Sequence, residues 1–138
     1  MMIEQTIAHW GDIMASKDSA KLSEILADDV VFLSPVVFTP QHGKDIAQLY
    51  LTGAMHTLSG SLKPDGTSCF QYTKKVLAGN QAVLEFETEI DGKYVNGVDI
   101  IECNDEGKIV EFRVMIRPLQ AVNLVHQKMG EMLAGLKS

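Results

Sequence analysis

The chain has little that would fasten it or mark it from outside. Only two of its 138 residues are cysteine, Cys69 and Cys103, and neither sits in a CxxC pair or a Cys/His cluster. That excludes a disulfide framework and a structural zinc site, and both residues read as buried, reduced thiols. The histidines His9, His42, His56 and His126 share no metal-ligand spacing such as i, i+4. No metal and no cofactor is expected. No run of 18 apolar residues is present, so no transmembrane helix is expected. Residues 1–10 carry Glu4 and His9 and lack a basic segment followed by an apolar one. No secretory leader is expected there, which places the protein in the cytoplasm. Basic residues are also scarce, 12 against 18 acidic ones, for a net charge of −6. That argues against a nucleic-acid partner and an anionic membrane, both of which need clustered Lys and Arg.

What is present is ordinary globular material, 46% hydrophobic and 22% charged. The length suits one domain over residues 1–138, with roughly two thirds of the unfolded surface buried and no staple required. Ile3, Ile7, Trp10 and Met14 recur at one face of a helix. Asp18 reads as the N-cap of a second helix that buries Leu22, Ile25 and Leu26. Residues 30–33 form a short apolar strand. Residues 34–43 hold Pro35 and Pro40 and read as a loop or short edge strand. A third helix is predicted over 44–58, with Ile46, Leu49, Tyr50 and Ala54 on one side. Residues 60–68 make a connector. The period then changes, and 69–77, 82–90, 94–103 and 108–116 read as strands. The hairpin signals Gly79-Asn80, Asp91-Gly92 and 104–107 separate them, so the meander is antiparallel. After Pro118 a helical period returns through Leu119, Val122, Val125, Met129, Met132 and Leu136. Helices, a meander and a closing helix make the class α+β.

The turns set the register. A two-residue turn at Asp91-Gly92 places Ile90 opposite Lys93, Phe86 opposite Gly97 and Leu84 opposite Asp99. A four-residue turn at 104–107 places Asp99 opposite Phe112, Gly97 opposite Val114 and Val95 opposite Ile116. One face then reads as apolar with a single exception, Asp99. A three-residue turn at Gly79-Asn80 would add Phe70 and Tyr72 to it. An aspartate in an apolar row must be protonated or partnered. A carboxylic acid kept neutral by apolar walls can donate a hydrogen bond to a carbonyl or enolate oxygen. Gly97 beside it leaves room. The competing reading is structural, with Asp99 bonded to a backbone amide or paired with a lysine such as Lys74. The opposite face mixes Val98, Ile100 and Met115 with glutamates and arginines. It is covered either by the last helix or by a second subunit.

Several segments carry a resemblance. They are residues 26–32 (LADDVVF), Ser34-Pro35, Gly43, and 98–101 (VDII) leading into 107–110 (GKIV). In these, and in the order of its elements, the chain resembles the NTF2-like superfamily, and within it the SnoaL-like and ketosteroid-isomerase-like proteins. The resemblance spans nearly the whole length. It implies a cone-shaped α+β barrel, with N-terminal helices packed on a curved antiparallel sheet, a C-terminal helix and an apolar pocket. It also implies a homodimer through the outer sheet face. Laid against the ketosteroid isomerases, their oxyanion-hole Asp falls on Asp99, their oxyanion-hole Tyr on Trp10, their general-base Asp on Ser34 and an accessory Tyr on Tyr50. Ser34 cannot shuttle protons near neutral pH without a base beside it, and the Trp10 indole is a donor but no acid. Steroid isomerisation by that machinery is therefore not expected.

The function that follows is binding of a small apolar or carbonyl-bearing molecule. Asp99 is the candidate catalytic acid or oxyanion donor of a cofactor-free isomerisation, cyclisation or dehydration. Trp10, Met14, Ser34, Phe38, Tyr50, Met55, Tyr72, Phe86, Phe112 and Val114 are the candidate substrate-binding residues. Val36, Val37 and Phe38 either line the pocket entrance or form a strand under the third helix. The alternative is a non-catalytic ligand-binding or protein-interaction module, which the missing base at Ser34 favours.

Overall fold

The computed structural model describes residues 2–137, with side chains through residue 135. Helix α1 spans Met2–Ser16 and buries Ile3, Thr6, Ile7, Trp10 and Ile13. The expected second helix is a 3₁₀ helix, Ser19–Glu24, and the Asp18 carboxylate caps it by accepting from the Ala20 N–H at 3.2 Å. Leu26, expected on that helix, instead opens strand β1, Leu26–Leu33, which is longer than the sequence suggested. The proline-flanked segment ends in a two-residue edge strand, β2, Gln41–His42.

Helix α2, Lys44–Leu58, has the predicted bounds but a rotated buried face. Ala47, Leu51, Ala54 and Leu58 are buried, whereas Ile46, Leu49 and Tyr50 are only half-buried. The rotation arises because α2 has two neighbours. It packs on the sheet, and Gly53 on its other side lies against Leu133 and Met132 of the last helix. That helix, α3, spans Leu119–Lys137 and seats Ala121, Val125 and Met129 in the core. Leu119, expected on its buried face, is mostly exposed. The expected contact of Leu136 falls outside the described side chains.

Strands β3 (Gln71–Ala78), β4 (Gln81–Ile90), β5 (Lys93–Cys103) and β6 (Ile109–Arg117) form the meander. The whole sheet has six strands in the order β2-β1-β6-β5-β4-β3. It is not wholly antiparallel: β1 lies parallel to β6, with Phe32 opposite Phe112. Such a pair has no turn to announce it, because its partners are far apart in sequence.

The β4–β5 register is as derived, with Leu84 opposite Asp99 and Phe86 opposite Gly97. The β5–β6 register is shifted by two, so Asp99 faces Val114, and Ile101 faces Phe112. The Asn104–Lys108 loop and a bulge beyond Glu102 absorb the difference, and the Asn104 N–H closes the loop on the Lys108 carbonyl at 2.8 Å. An even shift keeps every side chain on its face, so the apolar set stays inside. The β3–β4 turn has two residues, with Ala78 opposite Gln81, and a bulge at Thr73 turns Tyr72 inward opposite Phe86.

Candidate functional site

The inner sheet face, α1 and α2 enclose a core of aromatic and aliphatic side chains. Asp99 lies within it, 5% exposed. Its Oδ2 accepts a hydrogen bond from the Tyr72 hydroxyl at 2.6 Å. The Tyr72 oxygen in turn accepts from the Trp10 indole N–H at 2.9 Å. Trp10 comes from α1, Tyr72 from β3 and Asp99 from β5, so one polar chain ties three elements through the core. Asp99 Oδ1 has no hydrogen-bond partner among the described residues. Lys74, weighed as a structural partner, lies in a groove on the outer face with Glu85 and Arg117.

The electrostatics follow from burial. Loss of solvent raises the Asp99 pKa from 3.8 to about 7, against the opposing pull of the Tyr72 hydrogen bond. The same removal from water pushes the Tyr72 phenol well above its usual 10.0, and the neighbouring Asp99 charge adds to it. Asp99 is therefore an acid poised near neutrality, beside a phenol that stays protonated.

Beside Asp99 is a cavity of about 20 Å³. Its wall is built from Trp10 and Met14 of α1, Leu51, Ala54, Met55 and Leu58 of α2, Phe70 before β3, and Phe112 and Val114 of β6. The Trp10 and Phe112 rings meet edge to face at 5.0 Å. Outside it is a cleft of about 710 Å³ between the end of α1, the end of α2 and the start of β3. Met14, Met55 and Phe70 line both spaces, so these three side chains separate Asp99 from the cleft.

Of the residues singled out in the sequence, Trp10, Met14, Met55, Phe112 and Val114 thus meet Asp99 at the inner cavity, and Tyr72 lines the cleft. The others stand elsewhere. Phe38 is 99% exposed at a loop tip, because the proline-flanked segment turns outward. Ser34 is half-buried and spends its hydroxyl on the Val36 N–H at 3.2 Å. Tyr50 packs on Phe32, 5.9 Å between ring centroids, and lines neither space. Phe86 is fully buried behind Phe70, its ring stacked 5.0 Å away. The room expected at Gly97 is filled by that same Phe86 ring. Cys69, expected to be buried, is only partly so.

Sequence reasoning missed Leu51 and Leu58, although their spacing from Ala54 is a helical signal. It also missed Tyr72 as the partner of Asp99, which depends on the β3 bulge. Among the described residues no cluster of His, Cys, Asp or Glu is placed to hold a metal ion. None of the described helices is long and apolar enough to cross a membrane.

No protein-family model and no curated protein sequence matches the chain. Solved structures do. A steroid delta-isomerase from Pseudomonas aeruginosa is 28% identical with a TM-score of 0.88, over 99% of this chain and 94% of that one. An uncharacterised bacterial protein with a cystatin-like fold from Silicibacter pomeroyi is 27% identical with a TM-score of 0.80, over 91% of this chain and 83% of that one. An NTF2-like protein of unknown function from Mesorhizobium loti is 21% identical with a TM-score of 0.69, over 85% of this chain and 92% of that one. With this element order, this curved sheet and these structural neighbours, the chain has the α+β fold of NTF2-like and cystatin-like proteins.

Proposed function

We propose that the chain binds a small carbonyl-bearing molecule in its cone and that protonated Asp99 acts on the carbonyl oxygen. The observation that carries this reading is a buried carboxyl with a pKa of about 7, bonded at one oxygen to Tyr72 and lining a cavity. Near pH 7 such a group gives or takes a proton with little driving force in either direction, which is what general acid–base work needs. Stabilising a developing enolate suits a cofactor-free isomerisation, an aldol-type cyclisation or a dehydration. The likeness to a steroid delta-isomerase supports the class of chemistry. Ser34 supplies no second acid or base, so the steroid reaction itself is not part of the proposal. Reaching Asp99 from the cleft requires Met14, Met55 and Phe70 to swing aside, and unbranched methionines do so at low cost.

The test uses Trp10, the sole tryptophan, which belongs to the Asp99 network and so reports on it. Carbonyl compounds are screened by its fluorescence, and hits are assayed for turnover with the wild type and Asp99→Asn. The variant is expected to keep the fold, bind within about 1 kcal/mol and lose turnover. Turnover that survives the substitution would sink the catalytic role. A second reading, a non-catalytic binding module, is favoured by the small volume beside Asp99, about 20 Å³. Binding without turnover in the wild type would select it.

A homodimer through the outer sheet face belongs to the same proposal. Val83, Tyr94 and Met115 are exposed there, and α3 packs against α2 and the ends of β5 and β6. Light scattering at micromolar concentration is expected to give twice the chain mass, and a monomeric mass would end the idea.

A further inference from the structure

The cleft outside the cavity has a charge that does not match the rest of the molecule. The chain as a whole carries −6, yet the ionisable side chains lining the cleft, apart from the Tyr72 phenol, are Lys17, His56 and Lys75. No aspartate or glutamate lines it. None of the three basic side chains is in an ion pair among the described residues, although four other such pairs are formed. The two lysines come from different sides. Lys75 is on β3, with its ammonium 5.7 Å from the centre of the Tyr72 ring. Lys17 follows α1 at φ 58°, and its N–H closes the helix on the Ile13 carbonyl at 2.9 Å. That left-handed position ends α1 and sets the start of the Lys17 side chain at the cleft.

We infer that the molecule taken up by the cone carries an anionic group, in the simplest case a carboxylate, which stays in the cleft between Lys17 and Lys75 while its carbonyl end reaches Asp99. The inference rests on the reading of the cone as a ligand site and adds the substrate class, a keto acid or similar carbonyl-bearing anion. Two unpaired cations at the rim of a low-dielectric wall attract such a ligand and fix its orientation. An anion at the inner end would instead meet the Asp99 carboxyl, so the charge pattern also sets which end enters first. His56 contributes a further hydrogen-bond donor at the rim.

The experiment compares 4-oxo-4-phenylbutanoate with its methyl ester, at low salt and at about 0.5 M salt, where charges are screened beyond a few ångströms. Binding is followed by Trp10 fluorescence and by calorimetry, in the wild type and in the double variant Lys17→Gln/Lys75→Gln. Both lysines are exposed, so the fold is retained. The acid is expected to bind about fivefold to tenfold more tightly than the ester at low salt, the range of two partly exposed ion pairs. That preference is expected to vanish in the double variant and at high salt. Equal binding of acid and ester, with Trp10 responding, overturns the anion inference and leaves the cone reading standing. A lysine-dependent preference seen by calorimetry without any Trp10 response supports the cationic cleft and overturns the cone reading. No binding of either compound overturns the keto-acid assignment.

Discussion

Between about pH 4 and pH 8 the wild type is expected to lose roughly 4 kcal/mol of folding stability relative to Asp99→Asn. The folded chain holds the Asp99 proton up to about pH 7, whereas an unperturbed aspartate releases it near 3.8. In that window the native state binds more protons than the unfolded state, so stability falls as pH rises. The contribution is complete below 3.8 and is gone above the folded value. Asparagine is uncharged throughout and has the shape of the protonated acid, so its curve lacks this slope. The distance from 3.8 to about 7, at about 1.4 kcal/mol for each pH unit, sets the magnitude. The other carboxylates are common to both proteins and cancel in the difference. The measurement is urea denaturation of both proteins across the pH series. A difference under about 1 kcal/mol would show that water reaches the carboxylate and that its pKa is ordinary. Tyr72→Phe removes the hydrogen bond that favours the charged form, so in that variant the loss should start at the same pH but continue to higher pH and be larger.

Gly97→Ala is expected to cost about 3 kcal/mol, the upper part of the range for overpacked cores. A Cβ built on Gly97 would lie 2.4 Å from Phe86 Cζ and 2.6 Å from the Met115 carbonyl oxygen. The first neighbour is a ring already stacked on Phe70, and the second is backbone of the adjacent strand. Neither yields cheaply. Phe86→Leu removes the ring edge, so the double substitution should cost less than the sum of the two single ones, by about 1 kcal/mol or more. Denaturation midpoints of the four proteins form the cycle. Strict additivity would mean that the strain lies in the backbone and not at the ring.

Much of this architecture is legible in the amino-acid sequence, for identifiable reasons. Asp91 and Gly92 both take positive φ, 51° and 78°, as a two-residue hairpin turn demands. That turn fixes the whole β4–β5 ladder, and the ladder puts Asp99 in an apolar row. Asp99 stands out because a lone carboxylate there contradicts its neighbours. The β5–β6 register differs by two residues from the one the turns imply, because a bulge leaves no mark in composition. The parity of strands nevertheless protects the assignment of faces. Tyr72 is harder to read. Its inward turn depends on the bulge at Thr73 in an edge strand, where little core pattern disciplines the register. Phe38 departs for a different reason. Only the family resemblance puts its loop at the pocket, and here Val36 anchors that loop on the core while Phe38 is left in solvent.

The parallel seam between β1 and β6 also has a temporal consequence. Strand β1 ends at Leu33, and the strand it pairs with spans Ile109–Arg117. During synthesis β1 can form its short ladder with β2, but its other edge has no partner until the chain has been made through β6. Pairing across such a separation closes a long loop before any contact rewards it, so it is among the slow steps of folding. The meander of β3 to β6 depends only on local hairpins and can form without it. The nascent protein therefore passes through a stage in which an apolar strand has an open edge, and that edge is where misassembly would begin.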